Sequence, residues 1–257
     1  MNKDPAKDFG PIADDYVFFM NHATEALHDA QAHCRCLAPV LPAAGAVRWL
    51  DFGCSEGNFT TRLLELLDWP PQQLRLSLIE PVDARRREAV VQLARFTTEP
   101  IPAAAGLPEE PLDEYDVVLS NHVFYYVPEL LGTLRRLTAA LSAQGVLRAA
   151  IAGRDNVLIQ IWATGFGLIG RDIPYYTAED VQAALADLGV PFEQESVPYR
   201  IAFPDTEENR LRIIRFLLAN HLTEIPLPPL LVLFDPYASG GAIEIETASD
   251  HFTVRGS

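Results

Sequence analysis

The sequence predicts a three-layer α/β sandwich around a mostly parallel seven-stranded sheet, with helical elements capping one end. Three observations lead there. Short apolar runs alternate with helix-period segments of about 10–15 residues, the pattern of βαβ units and a parallel sheet. The first clear run ends in a glycine-containing loop that opens a helix. The next run ends on an acid, Glu80, 23 residues after the last glycine of that loop.

Taken in order, residues 9–42 read as helical, with Phe18, Phe19, Met20, Ala23, Ala26 and Leu27 at helical spacing and Pro39 and Pro42 closing the segment. Val47 to Phe52 is a short apolar strand. Residues 57–67 resume a helical period. Leu74 to Ile79 alternates as a second strand, and residues 83–95 form a helix. Tyr115 to Ser120 is a third strand. Leu130, Leu131, Leu134, Leu137 and Leu141 mark one face of the next helix, and Gly145 to Ala152 follows as a strand. Beyond residue 153 the pattern is less regular. Residues 177–188 and 206–221 read as helices, and Phe192–Phe203 and Ala242–Val254 alternate as strands, the last suited to an antiparallel final strand. The proline-rich stretch from Pro226 to Pro236 takes no assignment. The chain divides into N-terminal cap helices (1–44), a ligand-binding core (45–152) and a pocket and final-strand region (153–257), all of one domain.

Length and composition agree. A chain of 257 residues suits one large domain, and about half of it is hydrophobic. The 20 prolines and 15 glycines are spread out, which reads as frequent turns. A net charge of −15 repels phosphate backbones, so nucleic acid is not expected as a partner. The one basic run, Arg85 to Arg87, is too short to reverse that and reads as a solvated helix start. Three cysteines provide no disulfide framework. The opening Met-Asn-Lys-Asp-Pro has no apolar signal segment, and no run of about 20 apolar residues exists, so no membrane partner and a cytoplasmic location are expected. Histidines and cysteines at 28, 33, 34 and 36 carry metal-type ligands, but the spacing is wrong for a zinc site, and no metal is expected.

The chemistry concentrates at the strand ends. In Asp51-Phe52-Gly53-Cys54-Ser55-Glu56-Gly57, glycines let backbone approach a ligand closely and the following helix offers unpaired N–H groups. An acid at the position of Glu80 can accept both ribose hydroxyls of an adenosine ligand. A dinucleotide fingerprint would read Gly-x-Gly-x-x-Gly. Ser55 holds the middle position and the spacing differs, which disfavours a nicotinamide enzyme.

Together with Glu80-Pro81 and the strand end Ser120-Asn121-His122, this loop resembles the cofactor motifs of class I methyltransferases over residues 45–152. The resemblance implies a Rossmann-like core and S-adenosylmethionine as cofactor. It places Asp51, Gly53, Ser55 and Gly57 in the cofactor loop, Glu80 on the ribose, and Asn121 and His122 beside the sulfonium or amino-acid end. Over most of the chain, Phe19-Met20-Asn21-His22-Ala23-Thr24-Glu25, Val123 to Val127 and Tyr176 to Val181 are similar to the histamine N-methyltransferase family. That likeness implies a small amine acceptor held by Phe19, Asn21, Glu25, Tyr125, Tyr126 and Tyr176. Two departures stand out. His122 replaces the family's pocket glutamine, and the C-terminal substrate asparagine has no counterpart in Thr247-Ala248-Ser249. The scaffold therefore carries over further than the substrate, and a histamine enzyme is not implied.

Methyl transfer from sulfonium to nitrogen is an in-line displacement that needs alignment and exclusion of water. Tyrosine faces stabilise a cation. Glu25 or His122 is placed as proton acceptor for the amine, with Tyr176 as the third expected catalytic residue. The leading expectation is methylation of a small, metabolite-sized acceptor, with oligomeric state left open and a monomer preferred. A second is a cyclase or lyase in which the cofactor's own amine closes an azetidine ring and releases methylthioadenosine. A third is a non-catalytic binding module.

Overall fold

The computed structural model describes residues 10–40, 45–109 and 112–256. Residues 9, 41 and 42 of the predicted first helical segment lie outside the described residues. The rest of that segment forms two helices, α1 (Ala13–His22) and α2 (Glu25–Leu37). The break has a physical cause: Ala23 bridges to Ile201, and the Thr24 amide donates to the Arg200 carbonyl at 2.8 Å. Backbone bonded sideways to a strand cannot also continue a helix.

The core follows as β1 (Val47–Phe52), α3 (Asn58–Leu67), β2 (Leu74–Ile79), α4 (Asp83–Leu93), the two-residue β3 (Ala103–Ala104), β4 (Tyr115–Asn121), α5 (Leu130–Ala139) and β5 (Leu141–Ile151). Leu63, Leu64 and Leu67 recur at helical spacing on α3 and are buried. Burying each such side chain contributes about 1.5–3 kcal/mol. The helix stops at Asp68, which turns into the left-handed region at φ +49° before Trp69 and Pro70. At the head of α5, Glu129 accepts from the amides of Leu131 and Gly132, satisfying two of the donors a helix start leaves open.

The second part contains α6 (Val157–Leu168), α7 (Ala178–Asp187), β6 (Phe192–Pro204), α8 (Glu207–Leu218), α9 (Pro228–Leu231), β7 (Ala238–Ser239) and β8 (Ala242–Arg255). A Thr177–Asp180 capping box opens α7. The unassigned proline-rich stretch becomes α9 and the 3₁₀ turns of Val232–Tyr237.

The sheet runs β3-β2-β1-β4-β5-β8-β6, and β7 adds a two-residue eighth strand against β8. The core strands pair in parallel, and β8 is antiparallel to β5, β6 and β7. Strand order reverses between β1 and β4. Ligands of open α/β sheets bind at such a switch point, outside the carboxyl ends of the strands. One face of the sheet is covered by a core that includes Trp49, Leu63, Leu76 and Leu93, the other by one that includes Phe124, Leu134, Phe166 and Ile214. Helix α1 is secured to α8 by Phe19 stacking on Phe216, with centroids 4.6 Å apart, and by Asp15 accepting from Arg215 at 2.9 and 3.0 Å. Among the described residues, no helix is long and apolar enough to cross a membrane.

Candidate active site

Two clusters meet at the switch point. The first is the loop after β1. Gly53 and Gly57 both sit at φ +86°, and Ser55 at φ +49°, so the loop turns through the left-handed region three times. The Gly53 and Cys54 amides donate to the Ile79 carbonyl at 2.8 and 3.2 Å, binding the loop to the end of β2. A Cβ on Gly53 would lie 2.3 Å from the Val123 side chain, so only glycine fits there. Glu80 is buried, and its carboxylate accepts from Ser55 N at 3.1 Å and Val82 N at 2.8 Å. Asp51 lies beneath the loop and accepts from the Thr60 hydroxyl at 2.5 Å. Burial raises its pKa to about 7 against that hydrogen bond, with Glu80 adding to the rise.

The second cluster surrounds the end of β4. His122 adopts φ +57°, uncommon for a residue with a Cβ and a conformation that clusters at functional sites. Its Nε2 donates to Asp29 Oδ2 at 2.9 Å and lies 3.7 Å from Glu25 Oε1. Its Nδ1 is 3.2 Å from the Tyr125 hydroxyl, whose oxygen also accepts from Ala152 N at 2.6 Å. Asp29 Oδ1 accepts from His251 Nε2 at 2.8 Å. Asp29, His33 and His251 are fully buried.

Opposing terms set the charges. Burial alone would lower the pKa of His122, but Glu25 and Asp29 outweigh it and lift the ring to about 9. Asp29 is held far below the usual carboxylate range despite its burial, because His122 and His251 both donate to it. Burial raises Glu25, and Asp29 raises it further, while His122 and a hydrogen bond with Tyr199 oppose the rise. Burial lifts the hydroxyls of Tyr125, Tyr126 and Tyr199, and brings Tyr16 to about 12.

The structure thus gathers Glu25 with His122, Tyr125 and Tyr126, from two stretches nearly 100 residues apart. It also corrects two expectations and adds one wall residue. His122 is cationic at neutral pH and donates, so it does not serve as the neutral proton acceptor. The aromatic wall also takes Tyr175, tilted against Trp162 with centroids 4.8 Å apart and 5.2 Å from Tyr126, beside the expected Tyr176. Tyr176 is half-buried, and its amide donates to the Tyr125 carbonyl at 3.3 Å. Asn21 is exposed on α1, whereas Phe19 is buried against Phe216.

Of the cluster once weighed for zinc, His28 Nδ1 donates to the Pro198 carbonyl at 2.7 Å and His33 belongs to the buried network. Glu25, Asp29 and His122 bring three ligand-type atoms within 4.8 Å of one another, and the His122–Asp29 hydrogen bond occupies two of them. Asp29, Arg148, Tyr199 and His251 were missed, and His33 was read only as a member of the histidine–cysteine cluster. The one available signal was the run of polar residues at i, i+4 and i+8 on α2 (Glu25, Asp29, His33), one stripe of a helix.

Comparison with known proteins follows this geometry. A family profile described as "Methyltransferase domain" matches residues 21–193. A Bacillus halodurans protein assigned as a methyltransferase superposes with a TM-score of 0.57 at 11% identity, covering 87% of this chain and 98% of its own. The plantazolicin methyltransferase BpumL, solved with S-adenosylhomocysteine, gives 0.54 at 12% identity, covering 95% and 90%. The [4+2]-cyclase SpnF gives 0.53 at 16% identity, covering 88% and 80%. At these identities the three structures establish a common fold.

Proposed function

The chain belongs to the methyltransferase domain family, and on that premise we propose that it methylates an amine of a small polar metabolite, with S-adenosylmethionine as cofactor. The observation that carries the acceptor class is the pairing, in one buried site, of an elevated carboxylic acid with a cationic imidazole inside a ring of tyrosines.

The donor set fits the cofactor. The Gly53–Gly57 loop and Ser55 hold its methionine end, Glu80 its ribose hydroxyls, and Asn121 its amino-acid end. Asp51 supports the loop from below through Thr60. S-adenosylmethionine supplies an electrophilic methyl group on a positively charged sulfur.

The chain's own groups do the rest. Cationic His122 disfavours a second positive charge beside it, so the acceptor binds as the free amine, the form that can attack. Glu25 accepts the proton the amine sheds, for which its raised affinity suits it. Tyr125, Tyr126, Tyr175 and Tyr176 line the acceptor side and exclude water, with Phe19 closing it from α1. The likeness of the Phe19–Glu25 segment to amine methyltransferases supports this assignment.

One observation favours a second reading. Glu25, at the head of α2, and His122 are mostly shielded from solvent beside Tyr125 and Tyr126, an enclosure that also suits a cofactor reacting with its own amine. The two readings are separated by products. Incubation with S-adenosylmethionine and a panel of amines yields S-adenosylhomocysteine and a methylated amine under the first. Under the second, methylthioadenosine forms without any acceptor. Absence of methylated product from a protein that binds the cofactor sinks the first reading.

A further inference from the structure

We propose that Arg148, on β5 beneath α2, is a positioning residue that fixes the hydrogen-bonding polarity of both Asn121 and His122. The inference rests on the methyl-transfer reading only for what those two residues face.

A guanidinium carries N–H groups alone, so it can only donate. Arg148 Nε donates to His33 Nδ1 at 3.3 Å, and Nη2 donates to His251 Nδ1 at 3.1 Å and Glu195 Oε1 at 2.8 Å. Nη1 donates to the Thr253 hydroxyl. Only 2% of Arg148 is exposed, so water cannot substitute for these partners. A neutral imidazole that accepts at Nδ1 must carry its hydrogen at Nε2. Burial holds both rings below their ordinary pKa, keeping them neutral. The rings stack at 4.6 Å, which fixes their planes as well.

Each ring then passes the polarity on. His33 Nε2 donates to Asn121 Oδ1 at 3.0 Å. That commits the amide oxygen and leaves the Asn121 NH₂ as the group presented outward, a donor. His251 Nε2 donates to Asp29 Oδ1, and Asp29 Oδ2 accepts from His122 Nε2. This leaves His122 Nδ1 as the atom facing Tyr125. The two consecutive residues at the end of β4 are thus oriented by one arginine through two separate histidines. Because Arg148 cannot accept, the branch through Asp29 and His251 holds a proton in place and does not conduct one.

The test needs neither acceptor nor turnover. In the full chain labelled with ¹⁵N-histidine, long-range ¹H–¹⁵N spectra should show His33 and His251 protonated at Nε2 and bare at Nδ1. Arg148→Met should mix the tautomers of both rings. It should also weaken S-adenosylhomocysteine binding by about tenfold, the scale of one hydrogen bond. Asn121→Ala should weaken it equally, and the double variant no further. Should Arg148→Met fail to fold, Arg148→Lys keeps the charge but puts its donors on one nitrogen in place of a three-nitrogen fork, and at least one ring should lose its fixed tautomer. Unchanged tautomers in a folded Arg148 variant overturn the proposal. So does full cofactor affinity in Arg148→Met alongside a loss in Asn121→Ala. A wild-type protein that binds no S-adenosylhomocysteine would refute the methyl-transfer reading, while the histidine spectra would still judge Arg148.

Discussion

Replacing Asp29 by Asn removes one negative charge from the centre of the site and leaves its shape. Asp29 is fully buried and accepts at 2.9 Å from His122 and at 2.8 Å from His251. The rise of His122 from 6.5 to about 9 corresponds to roughly 3 kcal/mol of preference for the charged ring, shared between Glu25 and Asp29. An Asn offers one oxygen to two donors, so one ring N–H also loses its acceptor, at about 1–3 kcal/mol. A loss of about 3–5 kcal/mol at pH 7 is expected, the range for breaking a buried ion pair. The sign with pH follows from the direction of the shift. His122 is raised above its unfolded value, so its contribution is complete below about pH 6.5 and disappears as pH rises through about 9. The difference between wild type and Asp29→Asn should therefore shrink between pH 7 and pH 10. Urea denaturation followed by circular dichroism measures it. A difference below 1 kcal/mol, or one that stays constant from pH 6 to 10, would refute the reasoning.

Three further outcomes follow from the same geometry. Gly53→Ala places a Cβ 2.3 Å from Val123 at φ +86°, and should cost about 2 kcal/mol or more and abolish cofactor binding by calorimetry. Adding Val123→Ala removes the clash but not the backbone penalty, so recovery should be partial. Thr60→Val leaves buried Asp51 without its hydroxyl partner; a loss of about 1–3 kcal/mol is expected, larger at pH 8 than at pH 5, because the carboxylate forms as pH rises through about 7. Glu25→Gln should keep S-adenosylhomocysteine affinity within threefold while lowering methyl transfer by about 100-fold or more, measured as methylated product per enzyme.

Much of the core was legible because its periods are clean. The strand, glycine loop, helix, strand and terminal acid of residues 47–80 lie within a few residues of their expected bounds, and Ala242–Val254 is the reversed strand it was expected to be. Helix α6 escaped notice for a specific reason. Val157, Leu158, Ile159, Ile161, Trp162, Gly165 and Phe166 are all buried, so the helix is apolar around most of its girth and shows no stripe. The polar network was hidden differently. His122 meets Asp29 across 93 positions of sequence, and Asp29 meets His251 across 222. No local spacing records such pairs; only the sheet order that sets β8 beside β5, with α2 laid across them, brings them together.

The central claim is tested most directly by mass spectrometry of the nucleoside products. Purified protein is incubated with S-adenosylmethionine, with and without a panel of small amines. The account predicts S-adenosylhomocysteine together with a methylated amine, and no nucleoside product above background when the amines are left out. Methylthioadenosine formed from S-adenosylmethionine alone would contradict it.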